Sequence, residues 1–285
     1  MFAGFSFTST THHDTYPAID SAKADLSGKY VFITGASKGV GRTTAISFAR
    51  AGAEGIALGA RSDCSNLEAE LHSAAKEAGK KAPKVLAIKL DVLNKESVAN
   101  AVKETEGAFG RLDILINNAG YLSGFAPIGD DDSDEWWMNW EVNIKGLYLV
   151  TKAFLPLLMK GGDKTIINLS SIGGLMIREG ASGYQTTKFA VMRLTEFLMA
   201  DHGKQGLLAY SIHPGGVLTE LARKMPTQMH GDTPELAGDS MVSLVAQKRE
   251  WLAGRYISVT WDLPELYSRE QEIVKEDKLV MRMRF

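Results

Sequence analysis

A rhythm constrains this chain more than any single residue: short, continuous apolar runs alternate with helix-patterned stretches. The runs are Tyr30 to Ile33, Gly55 to Ala60, Val85 to Leu90, Ile114 to Ile116, Thr165 to Leu169, Leu207 to Ile212 and Tyr256 to Val259. Segments such as Arg42 to Ala51, Leu67 to Ala78 and Val98 to Ala108 lie between them with helical spacing. A strand that is apolar throughout, rather than at every second residue, buries both faces, and strands that return through helices pair in parallel. The expectation is a single α/β domain, doubly wound, with a seven-stranded parallel sheet flanked by helices.

No linker divides the chain. Residues 1–27, rich in Thr, Ser, Asp and aromatics without a period, read as an N-terminal extension ahead of a core domain over 28–262. The stretch of about 215–245 carries Gly215, Gly216, Pro226, Gly231, Pro234 and Gly238 among scattered Val217, Leu218, Leu221 and Met225, and reads as a mobile lid. The tail, 263–285, is charged but ends in Leu279, Val280, Met281, Met283 and Phe285, an apolar set expected to pack on a neighbouring surface or subunit.

Charge and composition exclude several classes of function. With 32 basic and 34 acidic residues the chain has no basic field for nucleic-acid phosphates or anionic lipid. No run of about 18 apolar residues spans a membrane, and the first twenty residues lack the basic and apolar regions of a secretory signal. The one cysteine, Cys64, has no intrachain disulfide partner. The expectation is a cytoplasmic protein with no nucleic-acid or membrane partner.

The first strand runs directly into Thr34-Gly35-Ala36-Ser37-Lys38-Gly39-Val40-Gly41, which opens the first helix. A glycine loop in that place presents backbone N–H groups and a helix N-terminus to a pyrophosphate. Its spacing, Gly-x3-Gly-x-Gly, departs from the common Gly-x-Gly-x-x-Gly. On a helix further along, Tyr184 and Lys188 are four residues apart and share a face. An ammonium beside a phenol favours the phenolate, and such a tyrosine acts as acid in carbonyl reduction and as base in alcohol oxidation.

With Asn117-Asn118-Ala119-Gly120 after the fourth strand, Asn143, Ser171 after the fifth strand, Tyr-x3-Lys and Pro214-Gly215 after the sixth, the sequence resembles the classical short-chain dehydrogenase/reductase family, fungal NADP-dependent members in particular. The likeness covers roughly residues 28–260. It implies a Rossmann fold and an oxidoreductase that passes a hydride between a nicotinamide cofactor and a carbonyl or secondary alcohol. It implies a catalytic set of Asn143, Ser171, Tyr184 and Lys188, with Ser171 thirteen residues before the tyrosine, as the family has it. The implied cofactor contacts are Gly35, Ser37, Lys38, Gly39, Val40, Gly41, Arg61, Ser62, Asp91, Val92, Asn118, Ala119, Gly120, Tyr184, Lys188, Pro214, Gly215, Val217 and Thr219. A homodimer or homotetramer follows from the resemblance as well.

The second strand ends Leu58-Gly59-Ala60-Arg61-Ser62 without a carboxylate. Basic residues there receive the 2′-phosphate of NADP, whereas an acidic one meets the ribose of NAD. Arg61 and Lys38 favour NADP(H); Asp63 would favour NAD if the strand ended later. No metal-ligand cluster is apparent: His12 and His13 are adjacent and read as a solvated pair, and His213 reads as structural. Pocket walls are expected from Leu122, Ser123, Gly173 to Ile177 and the lid, with Arg178 the one candidate cation, which suits a neutral, moderately hydrophobic substrate. Trp136, Trp137 and Trp140 read as core or subunit contacts. The segment from Arg255 to Asp262 resembles fungal short-chain reductases, many of which act in secondary metabolism. An NAD-linked alcohol dehydrogenase stays open, as does a non-redox or sensor role on a dinucleotide-binding scaffold. A sensor, however, has no need of the intact Asn143, Ser171, Tyr184 and Lys188 set.

Overall fold

The computed structural model describes residues 6–224 and 231–283. Met225, Pro226 and Phe285, singled out above in the lid and tail, and the first five residues of the extension lie outside these. Seven strands form one parallel sheet in the order β3-β2-β1-β4-β5-β6-β7: β1 is Tyr30–Thr34, β2 Gly55–Ala60, β3 Lys84–Lys89, β4 Ile114–Asn117, β5 Thr165–Leu169, β6 Leu208–His213 and β7 Tyr256–Ser258. Helices α1 (Gly39–Arg50), α2 (Leu67–Glu77) and α3 (Lys95–Phe109) follow the first three strands, α4 (Ser133–Trp140) and α5 (Leu147–Leu158) follow β4, and α6 (Ser182–His202) follows β5. Helix α7 (Pro234–Ala246) precedes β7, and two short helices, α8 (Leu263–Ser268) and α9 (Glu270–Lys275), close the chain.

Alternation along each strand sorts the core into two layers. Val31, Ile33, Ile114, Ile116, Ile167 and Ile212 join one cluster with Phe48 of α1, Leu71 of α2 and Met241 of α7. Phe32, Leu115, Ile166 and Ala209 face the other side, against Val98 of α3 and Phe154 of α5. Strands covered on both faces are mostly apolar, and the chain's chemistry collects beyond the strands' carboxyl ends.

The segment expected to be a lid contains a packed helix, α7, from Pro234 on. Thr233 caps α7 by accepting a hydrogen bond from the Leu236 N–H, and Pro234 sits in the first turn. Leu236, Ala237, Met241 and Val242 have no exposed surface, and α7 packs on α1. Of the Gly and Pro residues that suggested mobility, Pro234 starts a helix and Gly238 is where α7 packs on α1.

Both chain ends pack on the domain. In the N-terminal extension Thr11 forms an antiparallel bridge with Trp261, His12 N–H donates to the Thr260 carbonyl and Phe7 meets the Trp261 ring at 5.3 Å. His12 stacks on Tyr16 at 3.6 Å and meets Asp262 at 2.9 Å, and His13 meets Asp232 at 2.6 Å. Both histidines are bonded; His12 is largely covered, whereas the His13 side chain stays exposed to solvent as expected. At the other end, Tyr256 N–H donates to the Leu279 carbonyl, Arg282 pairs with Glu196 of α6, and Leu279 and Met281 lie against the core. The tail thus covers the chain's own α6 and the edge of β7.

Trp261 has no exposed surface and joins the extension to β7 through Phe7 and Tyr256. Trp261→Ala is expected to lower unfolding free energy by about 3–5 kcal/mol, read as a shift of the urea midpoint with the slope unchanged.

Candidate active site

The strand order reverses between β1 and β4, and there the chain makes its glycine loop. Thr34 Oγ accepts hydrogen bonds from Asn118 N–H (3.0 Å) and Ala119 N–H (2.9 Å). The Asn118 amide donates back to the carbonyls of Thr34 (2.8 Å) and Gly35 (3.0 Å). Both amide protons of Asn118 are thereby spent on the loop, so the side chain shapes the cradle and offers only its carbonyl oxygen outward. Thr34 was not singled out in the sequence; a hydroxyl at a strand end, opposite an Asn-Asn turn, is the signal that marks it.

Gly41 faces the same seam, where a Cβ would stand 2.4 Å from the Gly35 carbonyl oxygen and 2.5 Å from Asn118 Nδ2. Lys38 occupies the N-cap position of α1, and no side chain caps the helix there. The first-turn N–H groups are left for an anion, which fits a cofactor pyrophosphate. The Thr219 methyl overlies Gly39, 3.1 Å from where a Cβ would sit, and exposed Lys38 pairs with exposed Glu220. The segment after β6 therefore crosses the cleft to the glycine loop.

Beyond β2, Arg61 is the first residue after the strand, which ends at Ala60. The Asp63 carboxylate accepts from Ser65 N–H (2.9 Å) and Ser65 Oγ (2.7 Å), and these bonds hold its pKa below the usual carboxylate range. Asp91 accepts from Leu93 N–H at 3.0 Å, and the neighbouring Val92 packs against Gly146.

The four expected catalytic residues converge from three elements. Ser171 stands just past β5, where its Oγ accepts from Gly173 N–H at 3.0 Å and its hydroxyl reaches the Tyr184 phenol. Tyr184 and Lys188 lie on one face of α6, the Lys188 Nζ 5.5 Å from the Tyr184 ring centre. Lys188 Nζ donates to the Leu169 carbonyl at 2.9 Å. Ser170 points away, its Oγ bonded to the Lys188 carbonyl at 2.7 Å.

Asn143 sits in a π-helical turn, Glu141–Gly146, between α4 and α5, a break that re-aims side chains in mid-helix. Its Oδ1 accepts from Tyr121 N–H (2.8 Å), and its Nδ2 donates to the Tyr121 carbonyl (2.9 Å) and to Thr187 Oγ (3.0 Å). The side chain ties the turn after β4 to α6. Thr187, which donates in turn to the Tyr184 carbonyl, is a second supporting residue that the sequence did not flag.

Burial dominates the electrostatics. It pushes the Tyr184 phenol up to about 12, against a lowering by the Ser171 hydrogen bond, and pushes the Lys188 ammonium down to about 8. In the chain alone, desolvation of the phenolate is the dominant effect on the phenol. The tyrosine rests as a protonated acid. His213, at the end of β6, is held neutral by burial, its pKa lowered to about 4.

Leu122 is buried in the fold, whereas Ser123, Phe125, Ala126, Asp132, Glu135 and Trp136 line a cavity of about 180 Å³. Arg178 lies over the Phe125 ring at 5.5 Å, and its backbone N–H donates to Gln185 at 2.9 Å. Trp136 donates to Ser182 Oγ at 2.9 Å, so it packs on α6, while Trp137 stays exposed. Among the described residues, no group of three or more His, Cys, Asp or Glu could hold a metal ion.

The family model for short chain dehydrogenases matches residues 29–230. The chain belongs to the short-chain dehydrogenase family. Short chain dehydrogenases of the fungi Monascus purpureus and Monascus ruber are each 51% identical to it, over 99% of this chain and 97% of theirs. A bacterial short chain dehydrogenase structure from Salmonella enterica superposes with a TM-score of 0.74 at 25% identity, covering 86% of this chain and 99% of that one. A second, from Pseudomonas syringae, gives 0.74 at 26% identity over 88% and 99%. The fungal matches run beyond the family model at both ends, so the extension and tail belong to the dehydrogenase as these relatives have it.

Gly41→Ala forces the loop off the Gly35 carbonyl. The dehydrogenase variant is expected to lose about tenfold or more in dinucleotide affinity while staying folded, as fluorescence titration and thermal melting would report.

Proposed function

We propose that this short-chain dehydrogenase is an NADP(H)-dependent reductase of a neutral, moderately hydrophobic ketone or aldehyde, acting in the cytoplasm as a homodimer or homotetramer. The observation that carries the cofactor reading is the end of β2: Arg61 stands first beyond the strand and the nearest carboxylate, Asp63, is occupied by Ser65. Arg61, with Lys38, Ser37 and Ser62, supplies the charge and donors that a 2′-phosphate requires. Gly35, Gly39, Val40 and Gly41 would cradle the pyrophosphate. Asp91, Val92, Asn118, Ala119, Gly120, Pro214, Gly215, Val217 and Thr219 would line the rest of the cofactor's path.

The bound cofactor supplies a hydride, and the chain supplies position and a proton. Ser171 Oγ holds the substrate oxygen and stabilises the charge that develops on it. Tyr184, resting protonated, gives its phenolic proton to that oxygen as the carbonyl carbon is reduced. Lys188, fixed on the Leu169 carbonyl, keeps an ammonium beside the phenol and favours the phenolate left behind. Asn143 keeps α6 in register with the turn after β4, where Gly120 and Tyr121 lie. Exposed Tyr148, Phe189 and Phe197 on α5 and α6 give subunits an apolar face to share. The single cysteine fits a reducing compartment, and a role in fungal secondary metabolism accords with the Monascus relatives.

Arg61→Ala with Lys38→Ala is expected to weaken NADPH binding by about tenfold or more with NADH binding within twofold; equal losses for both cofactors would overturn the cofactor reading. Tyr184→Phe is expected to lower kcat by about 100-fold or more at unchanged cofactor affinity. The free enzyme's kcat/KM for carbonyl reduction should fall as pH rises above about 8, because the Lys188 ammonium is present below that value and lost above it.

A further inference from the structure

The turn after β6 is built from outside the matched family region. Asp232 stands just before α7, its side chain only 9% exposed. One carboxylate oxygen accepts from Gly216 N–H, and the other meets His13 Nδ1 at 2.6 Å. Asp232 also forms a parallel bridge with Val217. Gly215 takes φ +86°, and a Cβ there would stand 2.8 Å from the Asp232 carboxylate, so the acid fills the concave side of the Pro214-Gly215-Gly216 turn. The extension secures this arrangement over three successive residues: His13 O accepts from Thr233 N–H, Asp14 accepts from Thr233 Oγ, and Thr15 Oγ donates to Asp239 of α7.

This turn has two neighbours that matter. It starts at the end of β6, whose Ile212 carbonyl accepts from Ser170 N–H beside Ser171. It runs on to Thr219, which lies over Gly39 of the glycine loop. A displacement of the turn is therefore felt at the catalytic hydroxyl and across the cleft.

We propose that Asp232, braced by His13 of the N-terminal extension, is a positioning residue that holds the Pro214–Val217 turn in the shape that receives the reactive end of the cofactor. The extension is then a working part of the site. The inference rests on the reading that this turn lines the cofactor's path. Without the carboxylate, Gly216 N–H loses its acceptor and the left-handed Gly215 loses the group packed against it, so the turn relaxes.

The test compares a probe that has the nicotinamide with one that lacks it. Dissociation constants of NADPH and of 2′,5′-ADP are measured by titration for wild type, Asp232→Ala, Asp232→Asn and His13→Ala, with thermal melting in parallel. Asp232→Ala is expected to weaken NADPH by about tenfold while 2′,5′-ADP stays within twofold. Asn keeps an acceptor for Gly216 and is expected to fall between Ala and wild type. His13→Ala, a change at an exposed side chain, is expected to weaken NADPH by about threefold. NADPH affinity unchanged in Asp232→Ala, or equal losses for both probes, would overturn the proposal. Should Asp232→Ala fail to fold, Asp232→Asn and His13→Ala decide, and wild-type NADPH affinity in both overturns it. If the wild type binds NADH and not NADPH, the cofactor reading fails instead, and the same series with NADH and AMP decides the role of Asp232.

Discussion

The reciprocal hydrogen bonds between Thr34 and the Asn118-Ala119 turn hold together the place on which the rest of the molecule depends. β1 and β4 are neighbours in the sheet, yet the chain leaves them in opposite directions, β1 toward α1 and β4 toward α4 and α5. A cleft opens wherever a doubly wound sheet does this. Here the cleft is spliced at its floor by one threonine hydroxyl and one asparagine amide. The same bonds set the path of Gly35 and leave Gly41 no room for a side chain. Phosphate cradle and sheet topology are thus a single construction.

The other polar groups of the site are made chemically distinctive by what surrounds them. Burial acts on Tyr184 and Lys188 in opposite senses, raising the first and lowering the second, because in each it penalises the charged form. The three residues that hold this site have partners that are backbone or neutral: the Leu169 carbonyl for Lys188, Ser171 for Tyr184, and Thr187 and Tyr121 for Asn143. No carboxylate is among them, so the ammonium's field is left for the phenol.

Much of this was legible in the sequence, and the reason is periodicity. Continuous apolar runs located all seven strands to within a residue or two, since strands covered on both faces are mostly apolar. Tyr184, Lys188 and Ser171 were legible as spacings, and the structure brings them together. The less legible parts depend on contacts between distant residues. Pro234 reads as a breaker until Thr233 is seen to cap the helix it begins, which is why α7 was taken for lid. The partners of His12 and His13 cannot be read until Asp262 and Asp232, more than two hundred residues on, are brought against them, and only His12 is largely covered there. The raised pKa of Tyr184 is hard to read for a related reason: a neighbouring charge follows from spacing, whereas desolvation depends on everything packed around the ring.

Strand β7 pairs with β6 on one side, and on its other flank it receives cover from both chain ends, Leu279 bonding to Tyr256 and Thr11 bridging to Trp261. Residues 7–12 therefore wait for a docking site made by residues 256–265, which is synthesised long after them. Until that stretch and the tail emerge, the sheet ends in an open edge, the form of β-structure most prone to pairing with another molecule. For a growing chain, the seal at β7 comes late, and a ribosome that stalls before residues 256–281 are made releases a domain with most of its core and a sticky side.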